Sequence, residues 1–304
     1  MQTILGSGGA IGTPLAKELA AYTDSIRLVS RNPKKVNDTD ELFPADITDA
    51  GMVDKAIAGS EIVYVTVGFN YNITVWRKCW PALISQVLES CKKHKSKLVF
   101  FDNVYMYDRE FMGNLTEETP VRPTSKKGEV RAAIAGMVLD EARRGNVEAL
   151  IARSADFYGN RNSVLVELVV KNFARNKKAM WFANAGKIHT YTSSEDAARG
   201  TAILGNTPDA YNQVWHLPTD RTPRTGKEWI ELIAGIMGKD PRYMVLPAWM
   251  ITSMGLFMPL FREFSEMLYQ YDRDYVFNSS KFEARFGYVP VKPEEGLKKL
   301  IFSL

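Results

Sequence analysis

TILGSGGAIGTPLAKELA, residues 3–20, sets a short apolar run before a loop with Gly6, Gly9 and Gly12 spaced GxxGxxG, and the loop before a helical stretch. Strand, glycine loop and helix in that order make a cradle for a phosphate. Backbone N–H groups must come close to the anion, the amino end of the helix must point at it, and side chains at the glycine positions would block the approach. Glycine turns are common, so the information lies in the place of this one, between an apolar strand and a helix.

Working outward, residues 26–30, 62–67, 98–101 and 149–152 are further strand candidates, each closing in a polar or glycine-led loop. Helical stretches at 14–21, 52–58, 81–93 and 127–144 separate them. This alternation predicts an α/β fold, a doubly wound parallel sheet of Rossmann type. In the last helix Val130, Ile134, Met137 and Val138 recur at helical spacing, so one face can pack on the sheet, and Arg143, Arg144 and Gly145 supply a helix carboxyl end. KKHKSK, residues 92–97, reads as a solvated helix end. Beyond residue 158 the pattern loosens: 190–204 and 211–217 look like returns to the sheet. The expected organisation is a dinucleotide domain, 1–158, completed by about 188–217, and a smaller interleaved C-terminal substrate lobe, 159–187 and 218–304.

Composition narrows the function. With 45% hydrophobic and 24% charged residues the chain sits in the ordinary globular range. Its net charge of +4 is spread along the whole length, which does not imply nucleic acid. Cys79 and Cys91 cannot form a disulfide framework and read as reduced thiols, and His94, His189 and His216 lie too far apart to suggest a histidine metal site, so no metal is expected. The opening residues have no basic region and reach glycine too soon for a signal peptide, so a cytoplasmic protein is expected. The most apolar window, residues 245–261, is short for a membrane span and carries Pro247 and Pro259. It reads as a buried or pocket-lining helix, with membrane-surface contact as the other reading.

Three features sharpen the cofactor. Arg31 follows the second strand, where an NAD-preferring protein would carry an acid for the ribose hydroxyls; an arginine there suits a 2′-phosphate. Lys34 and Lys35 could assist, or could belong to a solvated loop. Asp46, in ADITD, stands at the end of the third strand within reach of an adenine amino group, with Ile47 beside it. Val67 and Gly68 end the fourth strand with side chains small enough for a dinucleotide to lie across the sheet edge. The expected cofactor contacts are Gly6, Gly9, Ile11, Gly12, Arg31, Asp46, Ile47, Val67 and Gly68, and the expected cofactor is NADP in preference to NAD.

The order of motifs resembles the extended short-chain dehydrogenase/reductase superfamily, the NAD-dependent epimerase/dehydratase group, through nearly the whole chain. The glycine loop, DITD, LVFFDNVYMYD, IARSADFYGN, HTYTSSEDAARG with Asp196, and FEARFGYVPVKPEEGLKKLI fall in that group's sequence. The resemblance implies an NAD(P)-binding fold and a catalytic Tyr-x-x-x-Lys pair introduced by Pro-x-Ser-x. Laid on that pattern, PTSKKGEVR puts Lys127 at the tyrosine and Arg131 at the lysine, and Asn103 falls where a serine or threonine belongs.

Four apart on one helix, Lys127 and Arg131 share a face. Arg131 can hold ribose hydroxyls and supply positive charge but cannot give up a proton. Lys127 can, and its ammonium would release one more readily beside Arg131 in a desolvated cleft. The expected catalytic set is therefore Lys127 as proton donor, Arg131 as electrostatic support and cofactor contact, and Asn103 as substrate hydrogen-bonder. Two readings stay open beside it: a solvated helix face, and anion contacts without chemistry. Cations at a helix amino end oppose the dipole, and an anion nearby would compensate. Tyr105 could reach a substrate, whereas Tyr107 reads as packing. The expected activity is reduction or epimerisation of a small, partly apolar substrate by a protein that could dimerise. The alternative is a noncatalytic NADPH sensor.

Overall fold

The computed structural model describes residues 1–159 and 163–303; Asn160, the last residue of IARSADFYGN, lies outside them. In chain order the strands are β1 (Gln2–Leu5), β2 (Ile26–Ser30), β3 (Glu41–Pro44), β4 (Ile62–Val65), β5 (Lys97–Asp102), β6 (Ala149–Arg153), β7 (Asp156–Tyr158), β8 (Ala179–Phe182), β9 (Tyr191–Ser193), β10 (Val214–His216) and β11 (Tyr243–Leu246). The α-helices are α1 (Gly12–Leu19), α2 (Ala50–Ile57), α3 (Ile73–His94), α4 (Lys126–Arg143), α5 (Lys171–Ala174), α6 (Ser194–Gly205), α7 (Gly226–Met237), α8 (Ala248–Met254), α9 (Pro259–Ser265), α10 (Ser280–Phe286) and α11 (Pro293–Phe302). The chain divides into two compact units, residues 1–104, 129–154 and 197–217, and residues 105–128, 155–196 and 218–304.

The first unit is built on a seven-stranded sheet in the order β3-β2-β1-β4-β5-β6-β10, with every pair parallel. β1, β4 and β6 are buried along their whole length, as parallel strands covered on both faces must be. This is the Rossmann-type α/β fold read from the sequence. The helix amino ends carry their own chemistry: Asp49 accepts from the N–H of Gly51 and Met52 at α2. Asn72 does the same for Thr74 and Val75, so α3 begins at Ile73 and carries Pro81 inside it instead of starting there.

The second unit holds two small parallel sheets, β7 with β9 and β8 with β11, around a core that includes Trp181, Tyr191, Trp229, Ile230 and Leu297. Of residues 190–204, expected to return to the large sheet, those up to 196 stay in this unit and 197–204 belong to the first. β9 pairs with β7 and α6 follows at once; only β10 adds a strand. Residues 105–128 join this unit because Val276 donates to Met112 O and Leu115 to Val276 O, both at 2.8 Å. Asp196 is buried and accepts from Tyr288 Oη (2.7 Å) and the Val291 N–H (2.9 Å), tying two of the sequence motifs together. The apolar window 245–261 is not one buried helix. It is spread over the end of β11, all of α8 and the start of α9, and Trp249, Leu256 and Phe257 stand in solvent.

Candidate active site: a cofactor cleft and two buried charge clusters

At the carboxyl ends of β1, β2 and β4 the first unit opens a cleft of about 730 Å³. Gly6, Gly9, Arg31, Asp46, Ile47, Val67 and Gly68 line it, seven of the residues expected from the sequence. Ile11 and Gly12 are buried at the start of α1. Missed by sequence reading were Gly8, Asn32, Thr48, Thr66 and Asn70, which also line it and which only the register of neighbouring loops brings together.

The glycines have reasons of their own. Gly6 sits at φ +95, and a Cβ on it would lie 2.9 Å from the Val67 backbone. A Cβ on Gly12 would lie 2.4 Å from Gly6 O. Both are required by close packing of the loop on β4 and on its own turn, before any ligand is considered. Gly6 and Ser7 donate to Val29 O, and Gly9 donates to Gly6 O, which fixes the loop's shape. Ser7 Oγ is buried with no hydrogen-bond partner among the described residues. A pinned loop whose glycines leave no side chain in the way, with an unmatched buried hydroxyl, fits a dinucleotide phosphate.

Arg31 is exposed at the end of β2. Of the two acids that follow in this loop, Asp38 is exposed, and Asp40 is buried and accepts from the N–H of Val36 and Asn37, so it organises the loop. Lys35 donates to Asp38 O within the same loop. Asp46 accepts from the N–H and hydroxyl of Thr48, bonds that hold its carboxyl below the usual range with a smaller push from Arg31.

The catalytic candidates lie in two buried clusters. In the first unit Arg131 is buried, donates from Nε (2.7 Å) and Nη2 to Asp102 Oδ1, and stacks its guanidinium 4.4 Å from the Trp80 ring and 5.0 Å from that of Phe100. Arg153 donates to the other oxygen of Asp102 at 3.2 Å. Asp102 was not singled out in the sequence, although two arginines in apolar segments require an acid. The Asn103 N–H also donates to Asp102 Oδ1.

In the second unit Lys127 has no exposed surface. Its Nζ is paired with Glu263, at both carboxylate and carbonyl, and with Glu266 Oε1 at 2.7 Å. The other oxygen of Glu266 accepts from the Lys126 N–H, the first amide of α4. Glu266 is thus the anion that the cation-rich helix start called for. The signal was present in REFSEM, which puts two acids three apart on one helical face, but nothing local says what they face. Ser125 Oγ accepts from Gly128 N–H at the same helix end. Tyr107 is buried as packing, and Tyr105 is half-buried.

A parallel sheet in the order above, with a glycine-lined cleft at its strand ends, defines a Rossmann-type dinucleotide-binding protein. The sequence profile of the NAD dependent epimerase/dehydratase family matches residues 3–216, and the chain belongs to that family, which is one of enzymes. Among solved structures, the dTDP-glucose 4,6-dehydratase DesIV of Streptomyces venezuelae, a double mutant with NAD bound, is 16% identical with a TM-score of 0.80, covering 99% of this chain and 96% of that one. The UDP-glucose 4-epimerase of Thermus thermophilus with NAD is 16% identical at TM-score 0.78, covering 99% and 98%. The UDP-glucuronic acid 4-epimerase of Bacillus cereus with NAD is 17% identical at TM-score 0.79, covering 100% and 99%. No curated protein sequence matches significantly. Family and fold together support a nicotinamide dinucleotide as cofactor.

Proposed function

We propose that the chain is a cytoplasmic, NADP-dependent oxidoreductase or epimerase-like enzyme acting on a small, partly apolar carbonyl, alcohol or alkene. The nicotinamide, when bound, supplies or accepts the hydride. The observation that carries the preference is Arg31 on the cleft wall at the end of β2, with the loop's buried acid, Asp40, committed to its own backbone. A guanidinium there meets a 2′-phosphate in charge-assisted hydrogen bonds. Gly6, Gly9, Ile11 and Gly12 shape the phosphate cradle, Asp46 and Ile47 face the adenine, and Val67 and Gly68 leave room for the dinucleotide.

Lys127 keeps the proton-donor role in this reading, with Glu263 and Glu266 as the carboxylates through which its proton is replaced; Arg131 supplies fixed positive charge and Asn103 a hydrogen bond to substrate. Fluorescence titration tests the cofactor: NADPH binds more tightly than NADH, and Arg31→Ala removes about tenfold or more of that preference. An unchanged ratio overturns it.

One observation favours a second reading, a member that binds NADPH and responds to it without turnover. Both Lys127 and Arg131 are fully engaged in buried ion pairs, so neither presents a bare charge. Lys127→Met distinguishes the two. Loss of NADPH oxidation with binding intact supports the enzyme, whereas binding without oxidation of any carbonyl panel by the parent protein supports the sensor.

A further inference from the structure

The second unit carries an apolar projection that the cofactor chemistry does not use. α8 and α9 form a hairpin joined by residues 255–258, in which Leu256 is 75% exposed, Phe257 86%, Trp249 68% and Leu260 57%. The hairpin is fixed, not frayed. Met258 donates to Met254 O at 2.8 Å, Arg262 Nε donates to Gly255 O, and a Cβ on Gly255 would lie 3.0 Å from Arg262 Cα. Its inner side is anchored by buried Ile251 and by Phe264 against Phe182, at 5.8 Å between rings. A folded protein does not normally hold a cluster of large apolar side chains in water unless they meet something.

Charge says what. Residues 244–261 contain no charged residue at all. The two acids that follow, Glu263 and Glu266, are turned to Lys127, so the hairpin's exposed ion is Arg262. β11, which feeds the hairpin, starts just after Arg242 and is in register with β8, which starts just after Lys178. Arg242, Lys177 and Lys239 line one surface pocket at the amino end of β11, the strand end away from the hairpin, with Asp240 among them. The hairpin offers apolar bulk and one exposed cation, with no exposed carboxylate for Arg262 to meet across a twofold contact with a second copy. No helix among the described residues is long and apolar enough to cross a membrane.

We propose that the α8–α9 hairpin docks the protein on the surface of an anionic lipid bilayer. Trp249, Leu256, Phe257 and Leu260 enter the boundary between headgroups and acyl chains, and Arg262 meets lipid phosphate. This goes beyond the cofactor reading and does not depend on it.

Co-sedimentation of the full chain with vesicles tests it. The protein pellets with phosphatidylcholine–phosphatidylglycerol vesicles and less with pure phosphatidylcholine, and added salt weakens the binding. Leu256→Ser with Phe257→Ser lowers the bound fraction about tenfold or more, while the thermal melt, used as the check on folding, is unchanged. Three results would overturn the proposal: no pelleting with either vesicle, equal pelleting with both, or a concentration-dependent dimer in sedimentation velocity that the double variant abolishes.

Discussion

Asp102 faces two guanidinium groups inside the first unit, and neutralising it takes the carboxylate away from both in a desolvated place. Asp102→Asn is expected to cost about 3–5 kcal/mol, read as a lowered urea midpoint. Arg131→Lys keeps the charge but loses the two-nitrogen contact and the guanidinium's place over the Trp80 ring, so it should cost less than Arg131→Met and still be measurable. The two thiols give a second residue-level test. Cys79 lines the cleft, whereas Cys91 is buried and its pKa is pushed up to about 12 by desolvation. A maleimide at neutral pH should label Cys79 alone in the folded protein, NADPH should slow that labelling, and Cys91 should react only after denaturation. Labelling of Cys79 that is indifferent to NADPH would place the nucleotide elsewhere.

At the scale of elements, the start of α4 is the place where sequence and structure differ most in meaning. Gly128 has no room: a Cβ would lie 2.3 Å from Tyr105 O and 2.9 Å from Pro123 Cβ. Gly128→Ala should therefore destabilise by about 1–3 kcal/mol or more, seen by thermal melting, although alanine is the better helix former. Periodicity and local signals made the strand–loop–helix units legible, because β1 with its glycine loop and α1 declare themselves within one short stretch. The partners of Arg131 and Lys127 were not legible. Asp102 lies far back on β5, Glu263 and Glu266 far ahead on and after α9, and no local pattern couples residues that only the tertiary fold brings together. β9 was misplaced for the same reason: a three-residue strand looks alike whether it pairs with β7 or joins the large sheet.

At the scale of the molecule, neither unit is a continuous piece of chain. The second unit's core draws Tyr158, Val166, Phe173 and Trp181 from its middle segment and Trp229, Ile233, Leu268 and Leu297 from its last. Deleting residues 218–304 should thus strip the partners from 105–128 and 155–196, and the truncated chain should aggregate instead of showing a cooperative melt.

The edge of the large sheet carries a consequence for biosynthesis. β6 borders β5 on one side and receives β10 on the other only after residues 155–213 have been made. At about 5–20 residues per second the nascent polypeptide shows a bare strand flank, apolar from Ala149 to Ala152, for several seconds outside the ribosome, a natural stopping point for a chaperone.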